Sequence, residues 1–228
     1  MIKVILWDID GTLLYFQEAE KNAIRKCFSA FGLGVCTDEM LANYSRINEK
    51  YWKRLERREI TKAEVLYNRF EEFFCKEDIV CTEIDSFNEM YQICLGDTIC
   101  FNDNSYELVE RLKGRVLQYA VTNGTFRAQE RKLRLSGLDK LFDDVFISEK
   151  VGADKPNVDF FHAIWERIGT YPGDEVMIVG DSLTSDMQGG VNAGILCCWY
   201  NPGRTPNTMK LPIDYEIQDL QQLEALIS

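Results

Sequence analysis

The chain has 228 residues, 46 % apolar and 28 % charged, with 26 Lys and Arg against 37 Asp and Glu and a formal net charge of −11. That length suits one large domain or a core with a smaller insert, and the composition is ordinary for a globular protein. A surface this acidic lacks the basic footprint that nucleic acid polymers and anionic membranes need, so neither is an expected partner. A phosphorylated small molecule stays open, because a local metal and lysine can hold phosphate inside an acidic protein.

Met1 to Ile9 has no basic leader region and no cleavage site, and no run reaches the roughly 20 apolar residues of a membrane helix, so a cytoplasmic protein is expected. Residues 2–7 form a short apolar run ended by Asp8, read as a strand buried on both faces. From Phe16 to Cys100 no strand pattern appears. Apolar residues recur there at helical spacing: Ile24, Cys27, Phe28 and Phe31, then Leu41, Tyr44, Ile47 and Tyr51, then Leu66, Phe70 and Phe73, then Ile84, Phe87, Tyr91 and Leu95. Thr61 to Glu64 matches a capping box, and Thr82 to Asp85 resembles one. The reading is four helices inserted after the first strand, a helical cap domain over residues 16–100, with the sheet domain made of 1–15 and 101–228.

Beyond the insert, helical patterns at 104–113, 126–136, 158–168 and 184–193 alternate with apolar runs at 116–121, 145–147, 176–179 and 195–199, and a weaker strand lies near 215–217. Strand alternating with helix implies an α/β fold with a parallel sheet covered on both faces, which binds ligands beyond the carboxyl ends of its strands. Eight cysteines show no CxxC and no zinc spacing, so reduced, mostly buried thiols are expected.

The chemistry-bearing residues fall at those strand ends. Asp8 and Asp10 follow the first strand; in an extended chain residues two apart face the same side. Asp10 beside Gly11 also reads as a turn, but two carboxylates ending a buried strand are costly without a cation or a task. Paired carboxylates suit a metal, or a nucleophile beside a general acid. Thr122, Asn123 and Gly124 follow the second strand, where hydroxyl and backbone donors can receive phosphate oxygens, or merely cap a turn. Lys155 and Pro156 follow the third; a lysine suits phosphate or carboxylate, and Pro156 suits the first turn of the next helix. Asp181 ends the fourth strand and Asp186 lies five residues on, a place equally suited to a helix cap. Together they give the order Asp-x-Asp, Thr, Lys, Asp around one rim.

In that order the sequence resembles the haloacid dehalogenase (HAD) superfamily, whose four motifs are matched by Asp8 to Thr12, Thr122, Lys155-Pro156, and Gly180-Asp181-Ser182 through Asp186. Residues 147–152, 155–157, 185–194 and 198–202 further resemble its pyrimidine 5′-nucleotidase branch, which clears pyrimidine nucleoside monophosphates, including noncanonical ones. Tyr15 stands where many family phosphatases continue with another Asp, a departure in keeping with that branch.

The resemblance implies a Rossmann-like parallel sheet core with an inserted four-helix cap domain, acting as a Mg²⁺-dependent phosphomonoesterase. Asp8 would attack phosphorus to form an aspartyl-phosphate. Asp10 would protonate the leaving oxygen and then activate water. Asp8, the Asp10 backbone carbonyl and Asp181 would hold the metal, supported by Asp186. Thr122 and Lys155 would hold the phosphoryl oxygens, with backbone donors from Asn123 and Gly124. A cap excludes water and selects the leaving group. Its rings Phe16, Tyr44, Tyr51, Trp52, Phe70, Phe73 and Phe74 include candidates for stacking on a base, although helical spacing favours packing for most of them. His162, the sole histidine, reads as structural or surface. A sugar-phosphate or phosphoglycolate phosphatase, a phosphomutase and a dehalogenase share these motifs, though Asp10 weighs against the last. A catalytically silent binding protein has no need of such clustered charge.

Overall fold

Val4–Trp7 form β1, buried throughout, and the strand stops where the apolar run meets Asp8. The structure, a computed structural model, describes residues 1–227. The chain divides into two units: Met1–Tyr15 with everything from Ile99 onward, and the intervening Phe16–Thr98. Where the first unit lets the chain out and takes it back, Leu14 bridges Phe101. There the Tyr15 N–H donates to the Cys100 carbonyl at 2.8 Å, and the Asn102 N–H to the Leu13 carbonyl at 3.0 Å.

The intervening unit is four helices: α1 (Phe16–Ala30), α2 (Asp38–Glu56), α3 (Lys62–Lys76) and α4 (Ile84–Asp97). Thr61 caps α3 with both arms of a capping box, as its sequence signals. The similar pattern at Thr82 is not a box: Glu83 takes the cap position of α4 and makes no side-chain cap bond. Phe28, Tyr44, Phe70, Phe73, Phe87 and Tyr91 interlock with ring centroids 5.0 to 6.3 Å apart, mostly tilted or edge-on, as ring quadrupoles prefer. Packing thus absorbs Tyr44, Tyr51, Phe70, Phe73 and Phe74, while Phe16 and Trp52 are only half-buried. A polar network runs through this interior: Asn48 donates to Glu20 at 2.8 Å and accepts from Arg69 at 2.9 Å.

After the insert come α5 (Ser105–Leu112), β2 (Leu117–Thr122), α6 (Phe126–Ser136), β3 (Asp144–Ile147), α7 (Ser148–Val151), α8 (Val158–Ile168), β4 (Val176–Gly180), α9 (Gln188–Ala193), β5 (Leu196–Tyr200) and β6 (Tyr215–Ile217). The six strands form one parallel sheet in the order β3-β2-β1-β4-β5-β6. Alternation sends Ile5 and Trp7 to one core with Leu108 and Leu112 of α5, and Val4 and Leu6 to the other with Phe160, Phe161 and Ile164 of α8. Each such side chain contributes about 1.5–3 kcal/mol on burial. The Trp7 indole donates to Gln118 Oε1 at 3.0 Å, so the polar edge of the largest buried ring is satisfied.

Strand order reverses at β1, flanked by β2 on one side and β4 on the other, and the crevice of such a switch point opens beyond the strands' carboxyl ends. Residues 184–193 are not the single helix their pattern suggests: Leu183–Met187 form a widened π-type turn that runs into α9. Pro156 lies before Asn157, the cap of α8, rather than inside its first turn. Among the described residues no two cysteines form a disulfide. Four (Cys27, Cys94, Cys197, Cys198) are buried, which is fewer than expected. No helix among the described residues is long and apolar enough to cross a membrane.

Candidate active site

Asp8 continues the hydrogen bonding of β1 one residue past its end, its N–H donating to the Val179 carbonyl at 2.9 Å. This fixes its carboxylate, almost wholly buried, at the switch point. Lys155 Nζ lies 2.8 Å from Asp8 Oδ1, 2.6 Å from Asp186 Oδ1 and 2.7 Å from the Val121 carbonyl. Burial alone would lower the lysine, but Asp186 and then Asp8 outweigh it and hold the ammonium above its ordinary range.

Asn123 delivers that lysine. Its Oδ1 accepts from the Lys155 N–H at 2.8 Å, and its Nδ2 donates to the Lys155 carbonyl at 2.8 Å and to Ser185 Oγ at 3.2 Å. One amide side chain therefore pins the loop after α7 to the loop after β2. Thr122, buried at the end of β2, accepts from the Gly124 N–H at 3.1 Å.

Asp181 and Asp186 come from the β4 end. Thr12, fully buried, places its hydroxyl 3.1 Å from Asp8 Oδ2 and 3.3 Å from Asp181 Oδ1. The Trp199 indole donates to the Asp181 carbonyl at 2.9 Å, and the Ser182 N–H reaches Asp186 Oδ2 at 3.2 Å. Two glycines make room. A Cβ at Gly11, whose φ is +93°, would lie 2.6 Å from Asp181 Oδ2, and one at Gly180 would lie 2.3 Å from Asp186 Cγ. No side chain but hydrogen fits between backbone and carboxylate at either place.

One oxygen each from Asp8, Asp181 and Asp186 lie within 4.8 Å of one another. Desolvation, then the charge of Asp186, push the Asp8 carboxyl up to about 7 against the pull of Lys155. Asp181 is raised too, by desolvation and by Asp8 and Asp186, even though the residue keeps an accessible face. A convergent all-oxygen set with more negative charge than one lysine offsets fits a hard divalent cation such as Mg²⁺.

The chain turns at Ile9, and Asp10 takes partners of its own on α6: Gln129 Nε2 at 2.6 Å from Oδ2, and an ion pair between Lys132 and Oδ1. Its charge still contributes to the rise at Asp8. Thr12 and Trp199 lie inside the stretches that carry the resemblance but had no role there, and Gln129 and Lys132 lie outside them. Gln129 and Lys132 did leave a trace, as two polar residues on the stripe that α6 buries with Ala128 and Leu133. His162 is exposed, with Nδ1 3.8 Å from Asp159, away from all of this.

A family model described as haloacid dehalogenase-like hydrolase matches residues 2–194. The chain is 34 % identical to the pyrimidine 5′-nucleotidase PynA of Streptococcus pneumoniae, over 97 % of this chain and 93 % of that protein. It is 27 % identical to the pyrimidine 5′-nucleotidase YjjG of Escherichia coli, over 98 % and 96 %. The magnesium-bound crystal structure of YfnB from Bacillus subtilis superposes with a TM-score of 0.93 at 34 % identity, covering 100 % of this chain and 99 % of that one.

Proposed function

The chain belongs to the haloacid dehalogenase-like hydrolases, and from that premise we propose that it is a Mg²⁺-dependent phosphomonoesterase whose substrates are pyrimidine nucleoside 5′-monophosphates. The observation that carries the chemistry is the meeting of Asp8 with Lys155 at 2.8 Å inside a ring of carboxylates. Asp8 is the nucleophile: its N–H is fixed by β4, and Thr12 and Lys155 orient its two oxygens separately. Attack forms a bond from a carboxylate oxygen to phosphorus and releases the nucleoside oxygen, to which Asp10, entering this step in its protonated form, gives a proton. Asp10 then takes a proton from the water that cleaves the aspartyl-phosphate and restores Asp8.

Mg²⁺, held by Asp8, Asp181 and the Asp10 backbone carbonyl with Asp186 in support, would offset negative charge on the phosphoryl oxygens. Lys155 keeps its positive charge throughout, because Asp186 holds it charged even while Asp8 is esterified. Thr122 and the backbone of Asn123 and Gly124 receive the remaining phosphoryl oxygens; the Gly124 N–H exchanges its bond to Thr122 for the substrate. Catalysis of this kind is mainly positioning and charge stabilisation.

The likeness to PynA and YjjG supports the choice of pyrimidine nucleotides. The test is phosphate release with Mg²⁺, with and without chelator, across UMP, dUMP, dTMP and a panel of sugar phosphates. Chelator-sensitive preference for the nucleotides is expected. Preference for a sugar phosphate would overturn the substrate, and no release from any of them would overturn the reaction.

A further inference from the structure

Asp10 sits on a turn, with its side chain only partly covered, yet the two groups that meet it are among the most buried polar side chains of the protein. Gln129 and Lys132 are each 1 % exposed. They stand three residues apart on α6, and so share one face of that helix. Gln129 takes one oxygen of the Asp10 carboxylate at 2.6 Å, and Lys132 takes the other. The helix is itself fixed at its start: Thr125 accepts from the Ala128 N–H at 3.3 Å, and Glu149 from the Phe126 N–H at 2.6 Å.

The path of the Gln129 amide explains a glycine. A Cβ on residue 124 would lie 2.1 Å from Gln129 Nε2 and 2.8 Å from Gln129 Cδ, so only glycine lets the amide pass to Asp10. Stability alone accounts poorly for the arrangement. A buried ion pair gains little over well-packed apolar side chains of similar volume, and a buried lysine loses much of its rotamer freedom. What two donors on two different oxygens do supply is direction, since they stop the carboxylate rotating about both of its side-chain torsions.

We propose that Gln129 and Lys132 are positioning residues, a two-point clamp that sets the direction of the Asp10 carboxylate toward the leaving-group oxygen, and that Gly124 is glycine to admit it. The inference rests on the phosphatase reading above, in which Asp10 is the proton donor.

The test uses Lys132→Met and Gln129→Leu, each alone and combined with Asp10→Asn, in saturating Mg²⁺. Two substrates are compared: p-nitrophenyl phosphate, whose leaving group departs without a proton, and the alkyl phosphate that the wild type turns over best. The readout is kcat/KM, which reports steps up to loss of the leaving group, beside thermal melts. Each single variant should lose about 10- to 100-fold on the alkyl phosphate and less than about threefold on p-nitrophenyl phosphate. In the Asp10→Asn background the loss should vanish, because the clamp then has nothing to aim. Equal losses on both substrates, undiminished alkyl phosphate turnover, or full additivity with Asp10→Asn would each overturn the clamp. Gln129→Leu strands no charge, and decides the matter if Lys132→Met does not fold. A wild type that releases phosphate from neither substrate would instead remove the phosphatase reading on which the clamp depends.

Discussion

Lys155 meets Asp8 at 2.8 Å with its other two donors already committed, one to Asp186 at 2.6 Å and one to the Val121 carbonyl at 2.7 Å. An ammonium has three N–H groups, so this one is complete, and it holds β2, β1 and the turn after β4 in one register. Lys155→Met would leave two buried carboxylates facing each other. It should cost about 3–5 kcal/mol of stability, read by chemical denaturation. A loss below about 1 kcal/mol would mean that water replaces the ammonium and the site is open there.

Asp8 has the opposite pH signature from an ordinary paired carboxylate. Its pKa rises from 3.8 to about 7, by desolvation first and then by Asp186. The native state therefore binds this proton more tightly than the unfolded chain does. The resulting stability is complete below about pH 4 and is lost as the pH climbs through about 7. Asp8→Asn has no such proton to lose. In chelator, its melting temperature relative to wild type should climb between about pH 4 and pH 8; in saturating Mg²⁺, its phosphate release should fall at least about 10³-fold. Melting curves that keep a constant offset across this range would show that Asp8 is not the group responsible.

Added Mg²⁺ should act where protons leave. Binding to Asp8, Asp181 and Asp186 favours their ionised forms, so at about pH 7.5 a few millimolar Mg²⁺ should raise the melting temperature of the wild type by several degrees. Asp181→Asn should blunt that rise. The same increment in both proteins would place the ion elsewhere.

Gly11 and Gly180 separate two effects of a methyl group. Gly11→Ala combines a strained φ of +93° with a clash at 2.6 Å against Asp181, and Gly180→Ala a clash at 2.3 Å against Asp186. Both should lose activity by at least about tenfold, with about 1–3 kcal/mol of stability. Gly152→Ala is the control, since it carries a φ of +83° with nothing within 4 Å. It should lose about 1 kcal/mol while its turnover is unchanged. Matching losses of turnover in all three would assign the effect to backbone strain alone.

The middle of the sheet was legible because β1, β4 and β5 are buried almost throughout and so appear as unbroken apolar runs, whereas β6, with Glu216 exposed, left a weaker trace. Even in the middle, β2 reaches one residue further than its run, which makes Thr122 the last residue of the strand and not the first of the loop. Helices α6 and α8 start and stop where their side-chain patterns do, with Thr125 and Asn157 as caps. The partners were not legible. Nothing in the neighbourhood of Asn123 announces that its side chain spans to Lys155, or near Asp10 that its two oxygens belong to a helix more than a hundred residues away. Hydrogen bonds at such separation leave no period in the chain. The widened turn at Leu183–Met187 was hidden for a related reason: its sequence has the apolar spacing of a helix, and the extra residue per turn shows only in which carbonyl each N–H meets.

The adjoining rungs at Leu14–Phe101 and Tyr15–Cys100 make the whole α1–α4 excursion, as the sheet experiences it, a single long loop with its two ends stitched together. The entropy of closing a loop grows only with the logarithm of its length, about 0.6 kcal/mol for each doubling. The sheet is therefore nearly indifferent to what is threaded through that seam. A helical segment of another length or composition could be grafted between residues 15 and 99, leaving the six strands and the carboxylates at their ends unaltered.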